Sequence, residues 1–377
     1  MSESSAVSPE SVNKNTPESP KNKVKKKKSL WKILLAIILI LVVLVCLLLC
    51  GVRAYFRLSV REYYKNSEKT FEIPGLSEGL IPQGLCYDEN TKEFLVTGYR
   101  SDNQPSQISV VGKESGEEVK RVGLLDRDGK EYCGHVGGIS LKGNYLYVAG
   151  SEGLLVYSYK DLKAAASGET IQALGIFSTA TEDDKLGVAF THVEGSYIYV
   201  GEFYRESNYP TPDSHKYTTA AGDGNTALIL AYRLDENEEF VRQFLDFLVR
   251  AIAGDFLGIA PSVERAYSIP GLVQGMCFDE EGRFCLSTSY GPAFSHIYIY
   301  NEPKQEGEIT VLGQQVPLFV LDSSVLKTDL KIAPMSEEIV TVEGKLYVMC
   351  ESASNKYIFG KFTSAKYCYA TDLSAYG

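Results

Sequence analysis

FEIPGLSEGLIPQGLCYD, residues 71–88, and YSIPGLVQGMCFD, residues 267–279, are one phrase written twice. Each has a short β-rich run, an Ile-Pro-Gly stop, a loop, and then Gln-Gly opening a new apolar strand. A phrase repeated at long range marks an array of similar units. Working outward from it, five hairpins align. They are QGLCYD with EFLVTG (83–98), GGISLKGNYLYVAG (137–150), GVAFTHVEGSYIYVG (187–201), QGMCFDEEGRFCLSTS (274–289) and EEIVTVEGKLYVMC (337–350). Each is a strand, a turn holding Gly or Asn, and a second strand rich in Tyr, Val and Leu, which is the hairpin signal.

A third strand follows in every unit: QISVV, LLVYSY, ALILAY, HIYIY and KYCYA. Units at this spacing, four strands each, predict an all-β fold, a five-bladed β-propeller. The repeated phrase also predicts how the ring closes. AYSIPG (266–271) reads as the outer strand of blade three, leading into blade four. KTFEIPG (69–75) has the same form but precedes blade one, while blade five ends the chain after three strands. The N-terminal strand would supply the missing fourth and so remove two open edges.

Blade three carries an insertion at about 203–265. Its first part, 203–224, is a polar loop expected to overhang the mouth where the inner strands begin. Its second part, 238–256, has the apolar spacing of an amphipathic helix, with Val241, Phe244, Leu245, Leu248 and Ile252 on one face.

The N-terminal region is of a different kind. Residues 1–29 are rich in Ser, Pro, Asn, Glu and Lys, a composition expected to stay disordered. They end in a lysine block, Lys21, Lys23 and Lys25 to Lys28. Ile33 to Val52 contains no charge, and 30–52 reads as one transmembrane helix. A small-residue cleavage site is lacking, so an uncleaved signal-anchor is expected. The lysine block predicts a cytoplasmic N-terminus, and so a type II protein with its propeller outside the cytoplasm. Residues 53–68 would link the helix to a propeller over 69–377. Setting aside the eight Lys and three Glu of residues 1–52 leaves 30 basic and 45 acidic side chains, a net −15 for the remainder. That charge argues against nucleic acid as a partner and against lying flat on anionic lipid.

Eight cysteines are present, and none forms a CxxC pair, which argues against zinc and thioredoxin-like sites. Cys86, Cys277 and Cys285 lie in expected strands and read as buried thiols. DRDG (126–129) reads as a turn, not a calcium loop. No nucleotide-binding or nucleophile-elbow motif occurs.

The alignment places Gln83, Gly137, Gly187, Gln274 and Glu337 at equivalent starts of the inner strands. His135 lies just before one of them, and Glu338 follows Glu337. The second strands end at Tyr99, Glu202, Tyr290 and Glu351. These positions would ring one mouth of the channel. The candidate ligand-binding residues are therefore Gln83, His135, Glu202, Gln274, Glu337, Glu338 and Glu351. Their amides and carboxylates suit a polar ligand, or a hard cation such as Ca²⁺ held through oxygen.

HVGGI (135–139), VQGM with STSYG, and SEEIVTVEGKLYVMCES followed by Lys356-Tyr357 resemble a family of uncharacterised bacterial extracytoplasmic propeller proteins, over roughly residues 70–375. That resemblance implies a propeller and carries no activity with it. A looser similarity, at the level of the fold, is to calcium-activated nucleotidases, which are also five-bladed and can carry a signal-anchor. The leading expectation is a non-enzymatic binding module, tethered to the membrane through one helix, with an extracytoplasmic protein, glycan or small molecule as ligand. The alternative is a propeller hydrolase acting on a phosphorylated or carbohydrate substrate, with Ca²⁺ as its cation.

Overall fold

The computed structural model describes residues 21–234, 262–363 and 365–376; the expected helix at 238–256 falls outside them. The chain divides into two compact units, one up to Val52 and one from Arg53 onward. In the first, the helix begins at Lys21 and so takes in the lysine block that composition alone assigns to the tail. Lysine is a good helix former, and a nucleated apolar helix extends readily into such residues. The stretch Leu30–Ser59 is long and apolar enough to cross a bilayer.

The second unit is a five-bladed propeller. Blade one pairs Leu80–Asp88, Glu93–Arg100, Gln107–Gly112 and Glu118–Leu125 in order. Blade two pairs Ile139–Lys142, Tyr145–Gly150, Gly153–Ser158 and Gly175–Ser178. Blade three pairs Val188–Glu194, Tyr197–Glu202, Ala227–Arg233 and Val263–Ile269. Blade four pairs Val273–Phe278, Phe284–Thr288, Ser295–Tyr300 and Leu326–Ile332. Blade five pairs Ser336–Val342, Lys345–Cys350 and Tyr367–Asp372, and its outer strand is N-terminal Ser67–Glu72. The inner strands touch in the cycle one, two, three, four, five, one, so the ring is closed.

The closing strand is antiparallel to the last one, with Ser67 opposite Thr371 and Lys69 opposite Tyr369. Thr70 Oγ1 donates to the Cys368 carbonyl at 2.9 Å. Phe71 and Ile73, both 2% exposed, turn inward against Leu85, Phe94 and Met349. The register shifts between Lys69 and Glu72, a bulge that lets Phe71 and Ile73 face the core. One apolar cluster fills each seam between neighbouring blades. The segment read as a linker is packed as well. Val60 and Tyr63 are buried among Ile297, Ile332 and Leu346, at the seam of blades four and five.

Two additions were not expected. Thr170–Gln172 runs parallel to the outer strand of blade one before the chain returns to finish blade two. The hairpin Lys304–Val311 and Gln314–Val320 leaves blade four and adds to the outer edge of blade three, with Leu318 opposite Ala266. Both cover an edge that would otherwise be open. The polar loop 203–224 lies between the second and third strands of blade three, the third being Ala227–Arg233. DRDG is a turn: Asp126 Oδ1 accepts from the Asp128 and Lys130 amides. All eight cysteines are free thiols, and Cys86, Cys277 and Cys285 are buried.

Phe71→Ala should lower stability by about 3–5 kcal/mol, because it empties an aromatic site on the strand that holds the ring shut. Thermal or urea unfolding of the variant reads this directly. A change under about 1 kcal/mol would mean the strand does not carry closure.

Candidate functional site

At the start of the inner strands the ladder is interrupted in four of five blades. Pairing skips between Pro82 and Leu85, between Val188 and Phe190, between Val273 and Gly275, and between Ser336 and Ile339. Bulges re-aim side chains and free them from the alternation of the strand. Gln83, Gln274 and Glu337 sit in these interruptions. Leu272 and Met335 precede two of them with φ of 64° each, a conformation that costs a non-glycine residue energy. Both carbonyls are thereby aimed at the neighbouring second strand: Ser289 N donates to Leu272 O and Glu351 N to Met335 O, each at 2.9 Å. The end of each second strand is fixed against the start of its own inner strand.

Glu337 and Glu351 are the centre of this mouth. Gln274 Nε2 donates to Glu337 Oε1 at 3.4 Å, and Gln83 Nε2 donates to Glu351 Oε2 at 3.1 Å and to the Pro82 carbonyl at 2.8 Å. Amides from blades four and one thus reach carboxylates of blade five. Tyr357 Oη donates to the same Glu351 oxygen at 2.9 Å. Burial pushes the Glu337 carboxyl well above the usual range, and the charges of Glu351 and Glu338 push it further. Burial also raises Glu351, to about 7, against the opposing pull of Tyr357, Lys356 and Gln83.

An aromatic and cationic wall stands beside the pair. Lys356 Nζ donates to Tyr99 Oη and lies over the rings of Tyr99 and Tyr357, at 4.8 and 5.1 Å. His135 stacks on Tyr99 with ring centres 4.2 Å apart. One face of the imidazole is covered and its edge is open to solvent. Loss of hydration there, and the charge of Lys356, lower its pKa.

The other two candidates are engaged elsewhere. Glu338 turns to the propeller axis and is 1% exposed. Its Oε1 accepts from the Met276 amide at 3.3 Å, and the Thr191 and Ile139 amides also favour its charged form; burial nevertheless raises it well above the usual range. Amides of blades two, three and four thus lie around one carboxylate of blade five, although among the described residues only Met276 makes a hydrogen bond to it and Oε2 is buried without a partner. Glu202, also 1% exposed, accepts from the Gly187 and Leu228 amides at 3.2 and 3.1 Å and pairs with His215 Nδ1 at 2.9 Å. His215 Nε2 lies 3.0 Å from Asp184 Oδ1, and the Leu312 amide donates to Asp184 Oδ2 at 2.7 Å. Burial alone would lower His215, but the two carboxylates outweigh it and raise the imidazole. Its two nitrogens each face a carboxylate, an arrangement that suits the doubly protonated ring. This chain ties the 203–224 loop to the mouth side of blade three and to the added hairpin. The same loop reaches blade four, where the Leu272 amide donates to the Tyr204 carbonyl and Arg205 covers the Tyr290 ring at 3.9 Å.

Sequence reasoning thus named Gln83, Gln274, Glu337, Glu351 and His135, which lie around one mouth. It missed Lys356, Tyr357, His215 and Asp184. Lys356-Tyr357 was visible as a dipeptide but belongs to an irregular loop with no strand period to align. Among the described residues, no group of three or more His, Cys, Asp or Glu side chains is arranged to hold a metal ion.

No protein-family model and no curated protein sequence matches this chain. Solved structures similar to it include an aldose sugar dehydrogenase from Streptomyces coelicolor in its PQQ-bound form. It is 14% identical, covers 80% of this chain and 95% of its own, and has a TM-score of 0.42. A glutaminyl cyclase from Myxococcus xanthus is 10% identical over 81% and 94%, with a TM-score of 0.39. A luciferin-regenerating enzyme is 12% identical over 81% and 93%, with a TM-score of 0.40.

A carboxyl raised on folding binds protons that the unfolded chain would release, so it stabilises least at high pH. The Glu351 contribution is fully present below about 4.5 and is lost as pH rises through about 7. Glu351→Gln should therefore melt higher than the parent at pH 8, by roughly 1–3 kcal/mol, and should match it near pH 4. Unfolding midpoints across that pH range test this. A variant that is less stable at pH 8 would show that Glu351 is held for structure.

Proposed function

We propose that this protein is a membrane-tethered, extracytoplasmic binding module that takes a polar, hydroxyl-rich small ligand at the mouth of its propeller. The observation that carries the reading is the Glu337–Glu351 pair, with Gln274 and Gln83 donating to it from other blades. Buried carboxylates with raised pKa values cost stability at neutral pH, and a fold has no structural need for two at one mouth. Carboxylates and amides together offer the donors and acceptors that hydroxyl groups need. The exposed His135 ring, backed by the buried Tyr99, offers a flat face to a sugar-like ring. A phosphorylated ligand suits the mouth less well, because its charge would meet the carboxylates at close range in a poorly hydrated site.

A second reading is a carbohydrate hydrolase. It is favoured by Glu351, whose carboxyl near 7 beside the second carboxylate of Glu337 is an acid–base pairing. Turnover on a glycan panel separates the two readings, and calcium alone, titrated against the melting temperature, tests the cation.

Titration calorimetry with neutral mono- and oligosaccharides should give binding that Glu351→Gln and Tyr99→Ala each weaken about tenfold or more, the equivalent of about 1–3 kcal/mol. Equal binding by parent and both variants, or binding confined to phosphorylated compounds, would overturn the site.

The tether rests on the lysine block preceding an apolar helix with no cleavage site. Protease added to intact cells should remove the propeller and spare the N-terminus. A mature chain beginning near Cys50 would show a cleaved leader instead.

A further inference from the structure

Two large apolar side chains stand side by side in water at the mouth side of blade five. Ile358 is 77% exposed and Phe359 is 76% exposed. They form the tip of the loop that joins Lys345–Cys350 to Tyr367–Asp372, the loop that also supplies Glu351, Lys356 and Tyr357. The tip is rigidly held. Thr363 Oγ1 donates to the Gly360 carbonyl at 2.7 Å and is 2.8 Å from Ser352 Oγ. Gly360 lies so close to the Ser352 backbone that a Cβ there would clash with it. A tip of this kind is presented, not left loose, and adjacent exposed large apolar residues mark a contact surface.

Three further observations say what covers it. First, the loop abuts the chain that follows the apolar helix: Tyr64 Oη donates to the Thr363 carbonyl at 3.3 Å. Tyr55 and Phe56 rest on Phe294, at 5.8 and 5.6 Å, and Phe294 is on the mouth-side loop of blade four. Tyr55 is three residues beyond Val52, where the uncharged stretch ends. Three residues span at most about 10 Å, so little chain separates the uncharged stretch from this contact. Second, the charge is locally inverted. The chain as a whole is −10, yet 352–366 holds Lys356, Lys361 and Lys366 with no acidic residue, Lys366 being paired with Glu72 at 3.0 Å, and Arg53 and Arg57 follow the uncharged stretch. Third, Tyr55 and, on the mouth-side loop of blade four, Tyr290 are exposed, amphipathic rings of the sort that settle at headgroup depth.

We propose that the blade-five rim docks on the phospholipid bilayer that anchors the chain, with Ile358 and Phe359 inserted below the headgroups and Lys361 at phosphate level. This rests on the tethered reading above. It qualifies the charge argument from composition: an acidic protein would meet the membrane through a basic, apolar-tipped part of its rim.

The test uses the full-length chain in vesicles of phosphatidylcholine and phosphatidylglycerol, with or without bromine on the acyl chains. Trp31 is the single tryptophan, so its quenching by brominated lipid reports the anchor alone. In a Trp31→Phe background, Phe359→Trp should emit to the blue of a water-exposed indole and lose at least half its intensity in brominated vesicles. Val119→Trp, at the start of the outer strand of blade one and away from the mouth, should show neither effect. Quenching of Trp31 with a water-like, unquenched signal at position 359 overturns the docking and leaves the anchor standing. No quenching of Trp31 removes the anchor, and the docking with it. A blue-shifted signal at 359 that lipid bromine does not quench, and that depends on protein concentration, assigns the tip to a second copy of the chain and also overturns the proposal.

Discussion

The closeness with which the inner strands cross at the propeller axis governs the rest of the structure. A Cβ on Gly138 would lie 2.6 Å from the Thr191 amide nitrogen and 2.9 Å from Phe190 Cα; one on Gly275 would lie 2.6 Å from Glu338 Cα. Backbones this near leave no room for side chains. Five strands brought together in this way expose amides that strand pairing cannot satisfy, because the bulges interrupt the ladders at the same level. Glu338 answers part of that need. It occupies in blade five the position that Gly275 holds in blade four, and its Oε1 takes the Met276 amide while its Oε2 stays buried without a partner among the described residues. The mouth above inherits its geometry from this crossing, since Gln83, Gln274 and Glu337 each come one residue before it.

A hierarchy of costs follows outward from the axis. Glu338 is buried but is supplied with a backbone donor. Glu202 is buried and is supplied with two amides and His215. Glu337 and Glu351 are supplied mainly by side-chain amides and a phenol, groups that can turn away. Carboxylates whose partners can be exchanged are the ones a ligand can compete for, and on that distinction the mouth differs from the two structural carboxylates beside it.

Much of this was legible in the sequence because propeller blades are built from local hairpins. The alternation of strands, the Gly and Asn turns, the repeated Ile-Pro-Gly phrase and the absence of a fourth C-terminal strand together led to the ring and its closure. Gln83, Gln274 and Glu337 could be aligned because each sits at a fixed offset from a strand. Lys356, Tyr357 and the Ile358–Phe359 tip could not, since they lie in a loop with no period. The hairpin over 304–320 was hidden for another reason. Its burial pattern is mostly partial, and it pairs with a strand of the preceding blade, which no local pattern records. Asp184 and His215 are separated by 31 residues and meet only because the loop folds back. Glu338, read as part of the mouth, is adjacent in sequence to Glu337 but points elsewhere, as neighbours at a bulge can.

The strand that closes the ring has a consequence for the order of assembly. Ser67 and Thr371 touch across 304 positions of chain. On a ribosome the segment Ser67–Glu72 emerges long before its partner, Tyr367–Asp372, is made. Throughout that interval one unpaired edge waits close behind the apolar helix while the other does not yet exist. Contacts of such long separation form slowly and leave edges open to wrong pairings. The seam of the ring is therefore its youngest joint, and a chain that stopped a dozen residues short would keep four complete blades and two exposed edges.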